Sequence, residues 1–170
     1  MAESERTRER ERPPLQDNAY ERSLKHHQEG RERSLNGPIV VKKSERPEFM
    51  ARQGRLRYYL HPSLYTDVPL LQWRVFTHEI RTRSGKHRHQ GGLVIYVLSG
   101  RGCSVVDGER MDWEKGDLVL LPLKPEEVEH QHFNLDPEKP AVWAAFIHMP
   151  IHEYLASDLQ QVENSPEFKG

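Results

Sequence analysis

Apolar side chains are spread unevenly along this chain. Residues 1–36 hold almost no large apolar side chain, whereas residues 92–149 are rich in Val, Leu, Ile, Phe and Trp. From Asn36–Gly37–Pro38 onward the apolar positions fall in short β-branched or aromatic runs: PIVVKK, RLRYYL, LLQWRVFTHEIRTR, LVIYVL, CSVV, DLVLLPL and AVWAAFIH. Turn signals separate them at Ser84–Gly85, Ser99–Gly100, Asp107–Gly108, Lys115–Gly116 and Asp136–Pro137. Many short strands with this punctuation predict an all-β sandwich or barrel. Within VVDGER, Asp107–Gly108 supplies the positive φ angles of a tight hairpin. PIHEYLASDLQQV reads as a helix, with Ile151, Tyr154, Leu155 and Leu159 on one face. The expected organisation is a polar, partly flexible arm over residues 1–37, one barrel over 38–149, and a C-terminal helix and tail over 150–170. A short helix is expected near Ala19 to His27, and Pro13–Pro14 ends anything helical begun in ESERTRERER.

Composition agrees with one domain plus an extension, at 170 residues and 35% hydrophobic content. A formal charge of −1 lacks the cationic surplus that phosphate neutralisation needs, so nucleic acid is not an expected partner. No apolar stretch approaches the roughly 20 residues of a membrane span. The opening MAESERTRERERPP has charges where a secretion signal needs an apolar core. The expectation is a soluble, cytoplasmic protein without membrane contact. Cys103 is the one cysteine and cannot form an internal disulfide.

GKHRHQGG, residues 85–92, carries the candidate chemistry. On a strand, residues i and i+2 face the same way, so His87 and His89 point together and Arg88 points away. EHQHFN repeats the arrangement with His130 and His132. Two such pairs in one small β domain suit a divalent metal, because neutral imidazole is the commonest protein ligand. The other histidines carry weaker readings. His26–His27 reads as an exposed pair, His148 as a core or rim residue, and His61 and His78 have no partner evident in the sequence. Gln90, Arg74, Arg81, Arg83 and Arg88 are candidates to recognise a carboxylate. Of these, Gln90 and Arg88, with Tyr96 and Trp143, are taken as substrate contacts; core filling is the other reading of both rings.

The HRH pair, followed by Gly100-Arg-Gly102, resembles the first motif of the cupin superfamily, G-x5-H-x-H-x3,4-E-x6-G, on a double-stranded β-helix (jelly-roll) barrel. Gly116-DLVLL-Pro122 followed by His130-QHF-Asn134 resembles the second, G-x5-P-x-G-x2-H-x3-N. The resemblance spans residues 70–149. Three departures stand out: the glutamate position holds Leu93 or Val94, Lys124 replaces a glycine, and three extra residues precede His130. An HRH without the glutamate, then GxG, VVDGER, GD and a late HxH-x-N, is similar to gentisate 1,2-dioxygenases and related ring-cleaving cupins. Those enzymes bind ferrous iron through three histidines, generally in longer two-domain chains, and single-domain three-histidine cupins that cleave diketones are also known.

Carried over, the resemblance implies His87, His89 and His130 as metal ligands and His132 as a catalytic group near substrate or oxygen. The insertion leaves open whether His132 replaces His130 as the third ligand. The implied cofactor is a divalent metal, Fe(II), with zinc, nickel and manganese as alternatives. Donor chemistry alone would favour copper, nickel or zinc at an all-nitrogen site. The implied function is a dioxygenase cleaving an aromatic ring or C–C bond of a small hydroxy acid, catechol-like or dicarbonyl substrate. The alternatives are a non-oxidative metal-dependent isomerase or decarboxylase, and a non-enzymatic cupin that binds a small ligand. A homodimer, built by exchange of the N-terminal arm, is the family's usual assembly.

Overall fold

The computed structural model describes residues 18–170; the charged opening ESERTRERER and Pro13–Pro14 lie outside them. Helix α1 (Ala19–Asn36) is twice the length expected. Asn18 caps it, its side chain accepting a hydrogen bond from Tyr20 N at 2.9 Å. None of its residues is buried, in keeping with the polar texture of this stretch.

Eleven strands follow: β1 (Phe49–Ala51), β2 (Gly54–Leu60), β3 (Trp73–Ile80), β4 (Lys86–His89), β5 (Leu93–Ser99), β6 (Arg101–Val106), β7 (Glu109–Glu114), β8 (Leu118–Leu121), β9 (Val128–Asn134), β10 (Ala141–His148) and β11 (Gln160–Glu163). They form two antiparallel sheets, ordered β1-β2-β3-β10-β5-β8 and β11-β4-β9-β6-β7. Strands distant in sequence become neighbours, as in a jelly roll. The hairpin expected at Asp107–Gly108 joins β6 to β7, with Val106 opposite Glu109 and Asp107 at φ 50°.

Alternation sorts each strand into an inward and an outward set. On β5, Leu93, Ile95 and Val97 are buried while Val94, Tyr96 and Leu98 are exposed. Trp143, Ala145 and Ile147 of β10 meet them, and Val106, Trp113 and Val128 complete the core from the second sheet. Each fully buried large side chain contributes about 1.5–3 kcal/mol. The inward parity that takes Val128 into the core also takes His130 and His132 inward on β9.

The tail departs from expectation. Helix α2 covers only Met149–Tyr154, and Ala156 at φ 48° turns the chain away. Gln160 to Glu163 then forms a strand, with Gln160 opposite Arg88 and Gln161 opposite His87. The anticipated helical face has nothing to bury against: Tyr154 is 89% exposed and Ile151 45%. Without β11, β4 would be a bare edge beside the histidines, and its backbone groups gain partners from the tail.

Candidate metal centre

β4 and β9 pair antiparallel with His87 directly opposite His130, so two strands bring three imidazoles to one point. His87, His89 and His130 each offer a ligand atom, all within 4.8 Å of one another. His89 Nε2 lies 2.9 Å from His130 Nε2. The three are buried, none more than 7% exposed. Burial pushes the His87 imidazole down to about 4. Burial, with the nearby His87 and His152, takes His89 down to about 3, and burial holds His130 well below the usual histidine range. All three are therefore neutral at pH 7, the state in which imidazole binds a metal.

The donor set fits a divalent ion. His87 Nδ1 is buried without a hydrogen-bond partner, a cost that coordination by its ring offsets. No carboxylate joins the cluster among the described residues. Leu93, at the position where the family's glutamate would fall, is 6% exposed, lies opposite Leu121 and lines the cavity wall. Three protein ligands leave open positions on an ion, which distinguishes a reactive centre from a closed structural one.

The cluster opens into a cavity of about 350 Å³. Arg74, Phe76 and His78 reach it from β3, Ile95 from β5, and Trp143 and Ile147 from β10. His152 and Glu153 of α2, with Ala156, Ser157 and Leu159, form its rim. Gln90 fixes that rim, its Oε1 accepting from Asp158 N at 3.1 Å. Gly91 is what the turn after β4 requires: at φ 77° a Cβ there would collide with the Pro122 carbonyl. Its N–H donates to His89 Nδ1 at 2.9 Å.

Of the four expected substrate contacts, only Trp143 lines the cavity. Arg88 points outward and pairs with Glu129 at 3.4 Å and Glu127 at 3.6 Å. Tyr96 has the opposite parity to Ile95 and is 41% exposed on the outer face of β5. Gln90 ties down the rim from outside the lining. Arg81 and Arg83 are engaged by Glu79 and Glu163. Arg74 is different: its Nε is buried without a partner, and no carboxylate lies within ion-pair distance among the described residues.

His132 is absent from the lining. It sits behind His130, its Nε2 3.1 Å from His130 Nδ1, and packs edge-on against Trp143. Expected near substrate or oxygen, it reaches the cluster through His130. His78 was missed as a site residue, although FTHEI places it on the inward parity of Phe76 and Ile80. It lines the cavity, and burial drives it down to about 3. His152 was missed because its position depends on where the tail turns.

Two facing antiparallel sheets that hold a histidine cluster at a cavity define a jelly-roll protein with a metal-binding site. Residues 75–148 match the family model for the cupin domain. Gentisate 1,2 dioxygenase 1 of Aquipseudomonas alcaligenes is 36% identical over 66 residues, 38% of this chain and 18% of that one. Gentisate 1,2-dioxygenase of Ralstonia sp is 33% identical over 70 residues, 41% and 19% of the two chains. The chain thus spans less than a fifth of the length of these relatives. The crystal structure of salicylate 1,2-dioxygenase from Pseudoaminobacter salicylatoxidans with gentisate is similar at TM-score 0.52 and 21% identity, covering 82% of this chain and 36% of that one. At that identity the likeness establishes the fold. No helix among the described residues is long and apolar enough to cross a membrane.

Proposed function

We propose that this protein is a non-haem dioxygenase that holds ferrous iron on His87, His89 and His130 and cleaves an aromatic ring or C–C bond of a small hydroxylated acid. The observation that carries the reading is the cluster of three buried histidines at the cavity, joined by no carboxylate among the described residues. The partial similarity to gentisate dioxygenases supports iron over other ions. A bound ferrous ion would supply open coordination positions for substrate oxygens and dioxygen.

The chain's own residues do the rest. A cavity of about 350 Å³ lies at the small end of ligand pockets, suited to a single ring. Phe76, Ile95, Trp143 and Ile147 give it an apolar wall for a ring to pack on. Arg74 presents an unpaired guanidinium to a substrate carboxylate, a bidentate match. His152 at the rim, its pKa lowered by burial and by Arg74, is a neutral base able to take a proton from an incoming hydroxyl.

Purification with oxygen excluded, metal analysis by mass spectrometry, and oxygen-electrode assays with gentisate, salicylate and a β-diketone test the proposal. Iron near one per chain with oxygen uptake on one of these substrates is the expected result. Zinc or nickel with oxygen-independent turnover would transfer the site to Lewis-acid chemistry. Failure to take up any ion would remove the enzymatic reading.

We also propose that the working form is a homodimer. The outer face of the larger sheet carries an uncharged row, Val75, Phe146, Val94 and Leu120, each opposite the next. Tyr96 and Leu118 continue it at 41% and 60% exposure. Such a patch marks an interaction site, and an uncharged one meets its own copy without repulsion. Light scattering on a size-exclusion column should give twice the chain mass, and Leu120→Lys should halve it; a monomer in wild type would refute the dimer.

A further inference from the structure

Ser104 and Trp113 have no place in the cavity, yet they end a hydrogen-bonded chain that begins at the metal centre. Trp113 sits on β7, Ser104 on β6 and His132 on β9, and Ser104 lies directly opposite His132. Trp113 Nε1 donates to Ser104 Oγ at 2.9 Å. Ser104 Oγ is 2.7 Å from His132 Nδ1, and His132 Nε2 is 3.1 Å from His130 Nδ1. None of these side chains is more than 5% exposed, so no solvent competes for the bonds. Gly102 makes room for the indole: a Cβ there would collide with the ring of Trp113.

The ligand role of His130 fixes the direction of the bonds between it and Ser104. Neutral imidazole has one N–H, so a His130 whose Nε2 lone pair faces the ion site carries its proton on Nδ1. His130 Nδ1–H donates to His132 Nε2, and the His132 proton is left on Nδ1, donating to Ser104 Oγ. The serine oxygen, with two lone pairs, accepts from both His132 and Trp113.

We propose that Ser104, anchored by Trp113, is a positioning residue for the metal centre: it accepts the His132 proton and so holds His130 with its proton on Nδ1 and its Nε2 lone pair turned to the ion site. The inference rests on the metal-centre reading above. It also explains why the second HxH pair is needed although only one of its members reaches the cluster. A metal-bound histidine whose other nitrogen donates to a fixed acceptor is held in tautomer and orientation.

The test uses the full chain, metal-free, with 15N-labelled histidine. Ring-nitrogen NMR at pH 8 should show His130 and His132 both protonated on Nδ1. In Ser104→Ala the His132 proton should move to Nε2 or divide between the nitrogens. Co²⁺ titration should show affinity falling by about 10–100-fold, the loss typical for a ligand's outer hydrogen-bond partner. Protons on Nε2 of both histidines in the wild type would overturn the proposal, as would Ser104→Ala with unchanged tautomers and unchanged Co²⁺ affinity. The wild-type spectrum decides even if the variant does not fold. A wild type that binds no Co²⁺ at all would refute the metal centre, and the tautomers would still decide the relay.

Discussion

His130→Ala should abolish divalent-ion binding while both sheets stay folded. His130 lies opposite His87 across the β4–β9 ladder, with ring centroids 4.2 Å apart, and its Nε2 faces His89 Nε2. Removing it leaves two imidazoles, and the loss should exceed the roughly 10–100-fold that an outer partner's removal costs. His132→Ala is the informative contrast. That ring touches the cluster only through His130 Nδ1, so its loss should weaken binding within that 10–100-fold range and leave an ion on the protein. Equilibrium dialysis against buffered Fe²⁺ or Co²⁺ without oxygen reads both variants, and circular dichroism confirms that they fold. If His130→Ala kept its ion and His132→Ala lost it, His132 would be the third ligand.

That contrast tests what spacing in the sequence left open. Three extra residues before EHQH blur which histidine of the pair reaches the ion, and parity cannot decide, because His130 and His132 share a face. Cross-strand register separates them: His130 faces His87 on β4, while His132 faces Ser104 on the other side of β9. The hairpin at Asp107–Gly108 was readable because a two-residue turn is a local matter. So was the pairing of His87 with His89, and the same alternation already turned Arg88 away from them. The expectation that Arg88 touches substrate set charge above geometry, and Glu127 and Glu129 claim it instead. Strand β11 was not readable. QQVE has no strong strand pattern of its own, and it pairs because β4 offers an edge. Arg74 and His78 could have been found by extending the inward parity of Phe76 back and forward along WRVFTHEI. His152 could not, since it depends on where β11 takes the chain.

Acid should unfold the metal-free protein steeply, with a midpoint near pH 5. Burial lowers His78 and His89 to about 3 and His87 to about 4, and it holds His130 and His132 well below the usual range. In the unfolded chain each titrates near 6.5. Between those values the unfolded state binds more protons, so the stabilisation is complete above about pH 6.5 and drains away as the pH falls toward the folded values. Each such histidine costs about 1.4 kcal/mol per pH unit once its unfolded form is protonated. Five together set an upper limit of about 7 kcal/mol per pH unit, against a net stability of about 5–15 kcal/mol for a domain of this kind. Even half that slope exhausts a typical stability within two units. The exposed carboxylates with lowered pKa, Asp107, Asp136 and Glu163, act below this window and leave its upper part to the histidines. A saturating divalent ion should move the midpoint to lower pH, because it binds the folded, neutral cluster and competes with its protons. Urea unfolding followed by circular dichroism at pH 8, 6.5, 5.5 and 5, with and without Co²⁺, measures both effects. Stability that stays flat from pH 7 to 5 in the metal-free protein would mean that these imidazoles ionise as readily folded as unfolded. The cluster would then be a wet, open surface feature, and its claim to hold an ion with neutral ligands at neutral pH would fail with it.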